Sequence, residues 1–245
     1  MSDMMIRFII FDLDGTLVES SDNDNELVNV RTSDVSRTLR VSGEEAIRII
    51  KELRERGANN YELYETLLLN DGIYIGGDLL RKNIIEVYRG SKPQPDLSEG
   101  LRALQLEGIK LILVTNSPDE IIEKKLEDAG ICAGVFSRII GWEEHKGMPK
   151  DTKNGKALFL SIITESLASP SEFIGVGDEP KVDLVPLKEL GAYTILICGQ
   201  RFTSREDMSH VDIVVDKACN LVPAIRAIQK RVAIPSYRDG CKVKR

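Results

Sequence analysis

Near its N-terminus the chain reads Ile6-Arg7-Phe8-Ile9-Ile10-Phe11-Asp12-Leu13-Asp14-Gly15-Thr16, and no other stretch narrows the choice of fold as far. Up to Phe11 it is almost unbroken Ile and Phe, which suits a strand buried on both faces of a parallel sheet. Asp12 and Asp14 follow at alternate positions, and then Gly-Thr. Two neighbouring ionised carboxylates at the end of a buried strand repel each other and are costly to desolvate. A divalent cation would resolve that conflict. Gly15 lets the backbone turn sharply and Thr16 sets a hydroxyl beside the turn. The plainer reading of the same residues is a strand end with two solvated aspartates.

Composition limits the classes to consider. The 245 residues suffice for one large domain, or for a domain with an insert. Hydrophobic content of 42% and charged content of 29% are those of an ordinary globular protein. A net charge of −6 argues against nucleic acid as the partner, because phosphate backbones want a basic face. Cys132, Cys198, Cys219 and Cys241 lie far apart and form no CxxC pair, so free thiols in a reducing cytoplasm are expected. The apolar run at the N-terminus is too short for a signal peptide, and no stretch is long enough to span a bilayer. A cytoplasmic protein with no membrane partner is the expectation.

The periodic apolar pattern stops after Val18, and 19–29 is polar and acidic, as in a linker. Ser42-Gly43-Glu44-Glu45 forms a capping box, with Ala46, Ile49, Ile50 and Leu53 on one helical face. Further helices are expected over 61–69, ending at Asn70-Asp71-Gly72, and over 78–90. Pro93 and Pro95 then punctuate a crossing back to the main domain. The division expected is an α/β core over 1–17 and 96–235, a small helical domain over 18–95, and a tail over 236–245.

From Leu97 onward helices and strands alternate. A helix over 97–106 leads to the apolar strand 110–115. Ser117-Pro118-Asp119-Glu120 then reads as a capped helix start, which places Thr115 and Asn116 beside a helix N-terminus suited to anions. Strands are expected over 135–140, 173–177, 193–197 and 211–215, with helices over 121–129, 181–190 and 221–229. The strand 173–177 ends in Gly177-Asp178, and Asp183 follows. The fold class implied is a doubly wound parallel sheet, which binds its ligands at the carboxyl ends of the strands.

These motifs taken in order resemble the haloacid dehalogenase-like hydrolase superfamily. Phe11-Asp12-Leu13-Asp14-Gly15-Thr16 is similar to its first motif, Thr115-Asn116 to its second, and Gly177-Asp178 with Asp183 to its fourth. The insert over 18–95 stands where the family carries a helical cap. The resemblance implies Asp12 as a nucleophile that becomes an aspartyl-phosphate and Asp14 as general acid and base. It implies Mg²⁺ on Asp12, the Asp14 carbonyl and Asp178, supported by Gly15, Thr16 and Asp183. It implies Thr115, Asn116 and a lysine on the phosphoryl group. Lys146, Lys150, Lys153 and Lys156 compete for the lysine role. Lys153 is favoured, six positions before a Phe159 taken to open a helix, although the family's usual proline is replaced by Asn154. Nearby His145 receives no role. Both motif-one carboxylates are present, which favours phosphate chemistry over dehalogenation. A Mg²⁺-dependent phosphatase acting on a small phosphorylated metabolite is expected, with a phosphomutase or a non-catalytic binding module as alternatives.

Overall fold

The run Phe8–Phe11 forms strand β1 and is buried at every position. A computed structural model of the chain describes residues 5–18, 32–33, 35–37, 39–55, 69–70, 73–74, 95–145, 150, 155–198 and 207–233. After β1 come α1 (Gly43–Glu55), β2 (Leu69–Asn70), β3 (Ile73–Tyr74), α2 (Pro95–Leu106), β4 (Lys110–Val114) and α3 (Asp119–Asp128). Then follow β5 (Phe136–Ile140), the single turn α4 (Trp142–His145), α5 (Gly155–Glu165), β6 (Phe173–Gly177) and α6 (Val185–Leu190). The strands β7 (Tyr193–Ile197) and β8 (Ile213–Val215) and the helix α7 (Leu221–Ala233) complete the order.

Six of the strands make one sheet in the order β5-β4-β1-β6-β7-β8, with every pair parallel. From β1 the chain goes outward through β4 to β5, then returns to the other side of β1 for β6, β7 and β8. The carboxyl end of β1 is therefore the switch point, where a doubly wound sheet opens a crevice. Side chains of β1 alternate between two cores. Ile9 and Phe11 pack with Leu101, Ile122, Leu126 and Ile225 from α2, α3 and α7. Phe8 and Ile10 pack with Leu158, Phe159, Ile162 and Leu187 from α5 and α6. Phe8 also stacks on Phe173 of β6, with ring centroids 4.5 Å apart. Helices on both faces explain why β1 carries no polar alternation.

Three expectations change. Leu69 and Asn70 are paired antiparallel with Tyr74 and Ile73 and do not end a helix, so the insert is not purely helical. Asp71-Gly72 stands between them, a dipeptide that favours two-residue hairpins. Helix α3 begins at Asp119 with Pro118 at its N-cap and no side-chain cap, so Ser117 does not cap it. The expected helix over 181–190 opens as a π-turn, Pro180–Leu184, before α6 takes over and ends at Gly191 with φ +103°. In the insert, α1 begins as the capping residues predict, with the Glu45 N–H donating to Ser42 Oγ at 3.1 Å. The linker over 19–29, the helix over 78–90, most of the helix over 61–69 and the tail over 236–245 lie outside the described residues.

Candidate active site

Asp12 is the first residue past β1, and the sheet's last hydrogen bond there holds it: its N–H donates to the Val176 carbonyl at 2.9 Å. The chain then folds back on itself. Gly15 N–H donates to Val18 O at 2.8 Å, and Leu17 N–H and Val18 N–H both donate to Leu13 O. The turn brings Thr16 Oγ1 to Asp12 Oδ2 at 3.2 Å. Gly15 adopts φ +84°, and a Cβ there would lie 2.2 Å from Asp178 Oδ2. Glycine thus permits both the turn and the approach of Asp178, which arrives from the end of β6.

The π-turn after β6 carries Asp183 back towards the same point. Its Oδ2 accepts the Glu179 N–H at 3.1 Å, and its Oδ1 lies 2.7 Å from Lys150 Nζ. Lys150 also pairs with Asp12 Oδ1 and donates to the Val114 carbonyl at 3.1 Å. Lys150 is 4% exposed, so this cation is bound by two carboxylates and a carbonyl with little water. Lys153 and Lys146, two of the sequence candidates, lie outside the described residues. Lys156 is at the surface, paired with Glu189 at 2.8 Å. Among the described residues the lysine brought to Asp12 is Lys150. The premise behind Lys153 changes, since α5 opens at Gly155 and Phe159 sits a turn inside.

One oxygen from each of Asp12, Asp178 and Asp183 can lie within 4.8 Å of the others. Ionised, the three carboxylates bring three negative charges against the one positive charge of Lys150. Burial is the main effect on Asp12 and outweighs the pull of Lys150, pushing its carboxyl up to about 7. Burial likewise raises Asp183, and the two carboxylates hold Lys150 as the ammonium against its own desolvation. Hard oxygen donors with an excess of negative charge fit a small divalent cation. Asp12 and Asp178 would hold it.

Asp14 points elsewhere. Its Oδ1 accepts Lys125 Nζ at 2.6 Å and its Oδ2 accepts Ser117 Oγ at 2.6 Å. Burial opposes ionisation here, but Lys125 and Ser117 prevail and hold Asp14 below the usual carboxylate range. Thr115, the residue after β4, is 1% exposed. Its Oγ1 accepts the Ser117 N–H at 3.0 Å and keeps its own proton to donate. Its carbonyl bonds His145 Nε2 at 2.8 Å, which requires the proton on that nitrogen. Burial lowers His145, so it is neutral, and the residue given no role holds the second motif in place. Asn116, between Thr115 and Ser117, is partly buried. Lys125 escaped the sequence reading, and Ser117 figured there only as a helix cap. A signal existed, since Lys125 shares the buried face of α3 with Ile121, Ile122 and Leu126.

Gly15→Ala is expected to displace Asp178 and to impose a strained φ costing about 1–2 kcal/mol. The affinity of the cluster for a divalent cation should fall about 10–100-fold, as when the groups orienting a ligand are disturbed, and isothermal titration would read it.

These features define a doubly wound α/β protein with an acidic centre at the switch of its sheet. The chain belongs to the haloacid dehalogenase-like hydrolase family, whose model matches residues 6–191. It is 26% identical over 236 residues to glyceraldehyde 3-phosphate phosphatase of Methanocaldococcus jannaschii, covering 92% of this chain and 100% of that one. It is 29% identical over 211 residues to phosphoglycolate phosphatase of Aquifex aeolicus, covering 78% and 84%. Among solved structures, a HAD phosphatase from Thermococcus onnurineus matches with a TM-score of 0.61 at 22% identity, covering 90% and 98%. A putative β-phosphoglucomutase from Thermotoga maritima matches with a TM-score of 0.58 at 17% identity, covering 91% and 99%. These two structures share the fold.

Proposed function

We propose that this hydrolase is a Mg²⁺-dependent phosphatase of a small phosphorylated metabolite, with Asp12 as nucleophile. The observation that carries the reading is the union at one point of Asp12, Asp178, Asp183 and Lys150, from the ends of β1 and β6 and the loop before α5. The relatives named as phosphatases support the reaction class. In this reading an Asp12 oxygen attacks phosphorus while the bond to the leaving oxygen breaks. Asp14 gives that oxygen a proton, which it first takes up from solvent because Lys125 and Ser117 keep it ionised in the free protein. Water then attacks the aspartyl-phosphate, Asp14 takes a proton from the water, and Asp12 is restored as inorganic phosphate departs. Thr115 and Lys150 stabilise the charge on the phosphoryl oxygens, and Asp183 holds Lys150. Bound Mg²⁺, held by Asp12, Asp178 and the Asp14 carbonyl, would supply a positive charge for the phosphate. In this reading the insert over 18–95 takes the part of the family's cap.

The test is phosphate release from sugar phosphates, nucleotides, phosphoglycolate, glyceraldehyde 3-phosphate and an aryl phosphate, with Mg²⁺ and with a chelator. Release from at least one that stops in the chelator is expected. If folded protein acts on none of them and also fails a phosphomutase assay, the catalytic reading fails.

A second expectation concerns stability. The folded state keeps the Asp12 proton up to about pH 7, whereas the unfolded chain loses it near pH 4. Between those values the folded state binds more protons, so the metal-free protein should lose stability as pH rises from about 4 to 7. Mg²⁺ should reverse this. At about 100 times Kd it adds about 2.7 kcal/mol, or roughly 5–10 °C in Tm for a chain of this size. The gain should be large at pH 8 and small at pH 5 in thermal melts.

A further inference from the structure

Lysine is almost never fully buried unless it is paired. Lys125 is 4% exposed. Its Nζ lies 2.6 Å from Asp14 Oδ1 and 2.8 Å from Ser117 Oγ. Ser117 Oγ in turn lies 2.6 Å from Asp14 Oδ2. The three groups close a triangle that grips both oxygens of one carboxylate. The triangle is tied to the second motif as well, because the Ser117 N–H donates to Thr115 Oγ1. We propose that Lys125, with Ser117, is a positioning residue that fixes the Asp14 carboxylate where the leaving oxygen will need its proton.

The geometry suits this task. Asp14 opens the turn after β1 and its side chain is 41% exposed, so without a clamp it would sample several rotamers. General acid catalysis depends on placing one oxygen within hydrogen-bond reach of the leaving group. A serine hydroxyl both donates and accepts, so the triangle can keep its shape whether or not Asp14 carries a proton. The clamp also spans the two halves of the site, since Lys125 belongs to the helix after β4 and Asp14 to the turn after β1. A purely structural role would be different: Lys125 would staple α3 to that turn, and the chemistry of Asp14 would not matter.

The inference rests on the phosphatase reading, and leaving-group dependence separates the two. An alkyl phosphate needs its leaving oxygen protonated, while 4-nitrophenolate departs without a proton. kcat/KM, which reports the steps up to formation of the phosphoenzyme, is measured for both substrates with wild type, Lys125→Met, Asp14→Asn and the double variant. Thermal melts check that each is folded. Lys125→Met should lower kcat/KM about 10²-fold on the alkyl phosphate, the low end for general acid catalysis, and by less than about threefold on 4-nitrophenyl phosphate. Added to Asp14→Asn, it should cost nothing more on the alkyl phosphate. Ser117→Ala should show the same pattern more weakly, and it carries the test if Lys125→Met does not fold. Equal losses on both substrates, no loss, or losses that multiply with Asp14→Asn would each overturn the inference while leaving the phosphatase reading intact. No release by folded wild type from any substrate would overturn both.

Discussion

Asp12→Asn is expected to abolish phosphate release, a loss on the order of 10⁴–10⁶-fold, yet to make the metal-free protein more stable above pH 7. The activity loss follows from the proposed nucleophile, because an amide cannot attack phosphorus as a carboxylate does, and removal of a covalent catalyst is among the costliest changes an enzyme suffers. The stability gain follows from charge. Asp12 is buried beside Asp183, and burial pushes its carboxyl up to about 7. Above that value the native protein must hold an ionised Asp12 that the fold disfavours. A neutral amide of the same shape removes that cost. At pH 5 the native Asp12 is already protonated, so the two proteins should melt closer together. Melts at pH 5 and pH 8, with and without Mg²⁺, would read this, and the variant should also lose most of its response to Mg²⁺. A variant less stable than wild type at pH 8 would show that the Asp12–Lys150 pair outweighs the repulsion.

Lys150→Met should cost about 10²–10³-fold in kcat, comparable to removing one donor from a charge-stabilising site. It should also destabilise the metal-free protein at neutral pH, because Asp12 and Asp183 would then face each other without their shared cation. The methionine fills similar volume, so packing loss contributes little. Lys153→Met, made in parallel, should leave both turnover and melting close to wild type. If Lys153→Met inactivates and Lys150→Met does not, the assignment of the lysine is wrong. Steady-state kinetics on the best substrate, beside melts of all three proteins, would decide.

Much of this architecture is readable in the residues because local rules and tertiary context agree. The bare apolar runs at 8–11 and 111–114 demand burial on both faces, and Asp12, Thr115 and Asp178 fall where those runs and 173–177 stop. What escaped depends on side chains that leave their own element. Ser117 has the sequence of a helix cap, but a carboxylate 103 positions away competes for its hydroxyl and wins. Lys125 looks like one more charge on an amphipathic helix until its place on the buried face is noticed. The position of Lys150 depends on where α5 opens, and a helix start is the feature that patterns place least well. In the insert, Asp71-Gly72 was the stronger signal, and the helical periodicity before it masked a hairpin.

The place of β1 in the sheet bears on how the chain comes to be made. The strand is synthesised first, but its two neighbours are residues 110–114 and 173–177. At roughly 5–20 residues per second, a ribosome needs on the order of ten to thirty seconds after Phe11 before Val176 exists. During that wait a segment as sticky as Phe-Ile-Ile-Phe has one side without a partner. Nascent chains of this protein should therefore lean on holding chaperones, and truncations that stop short of β6 should aggregate where the full-length chain does not.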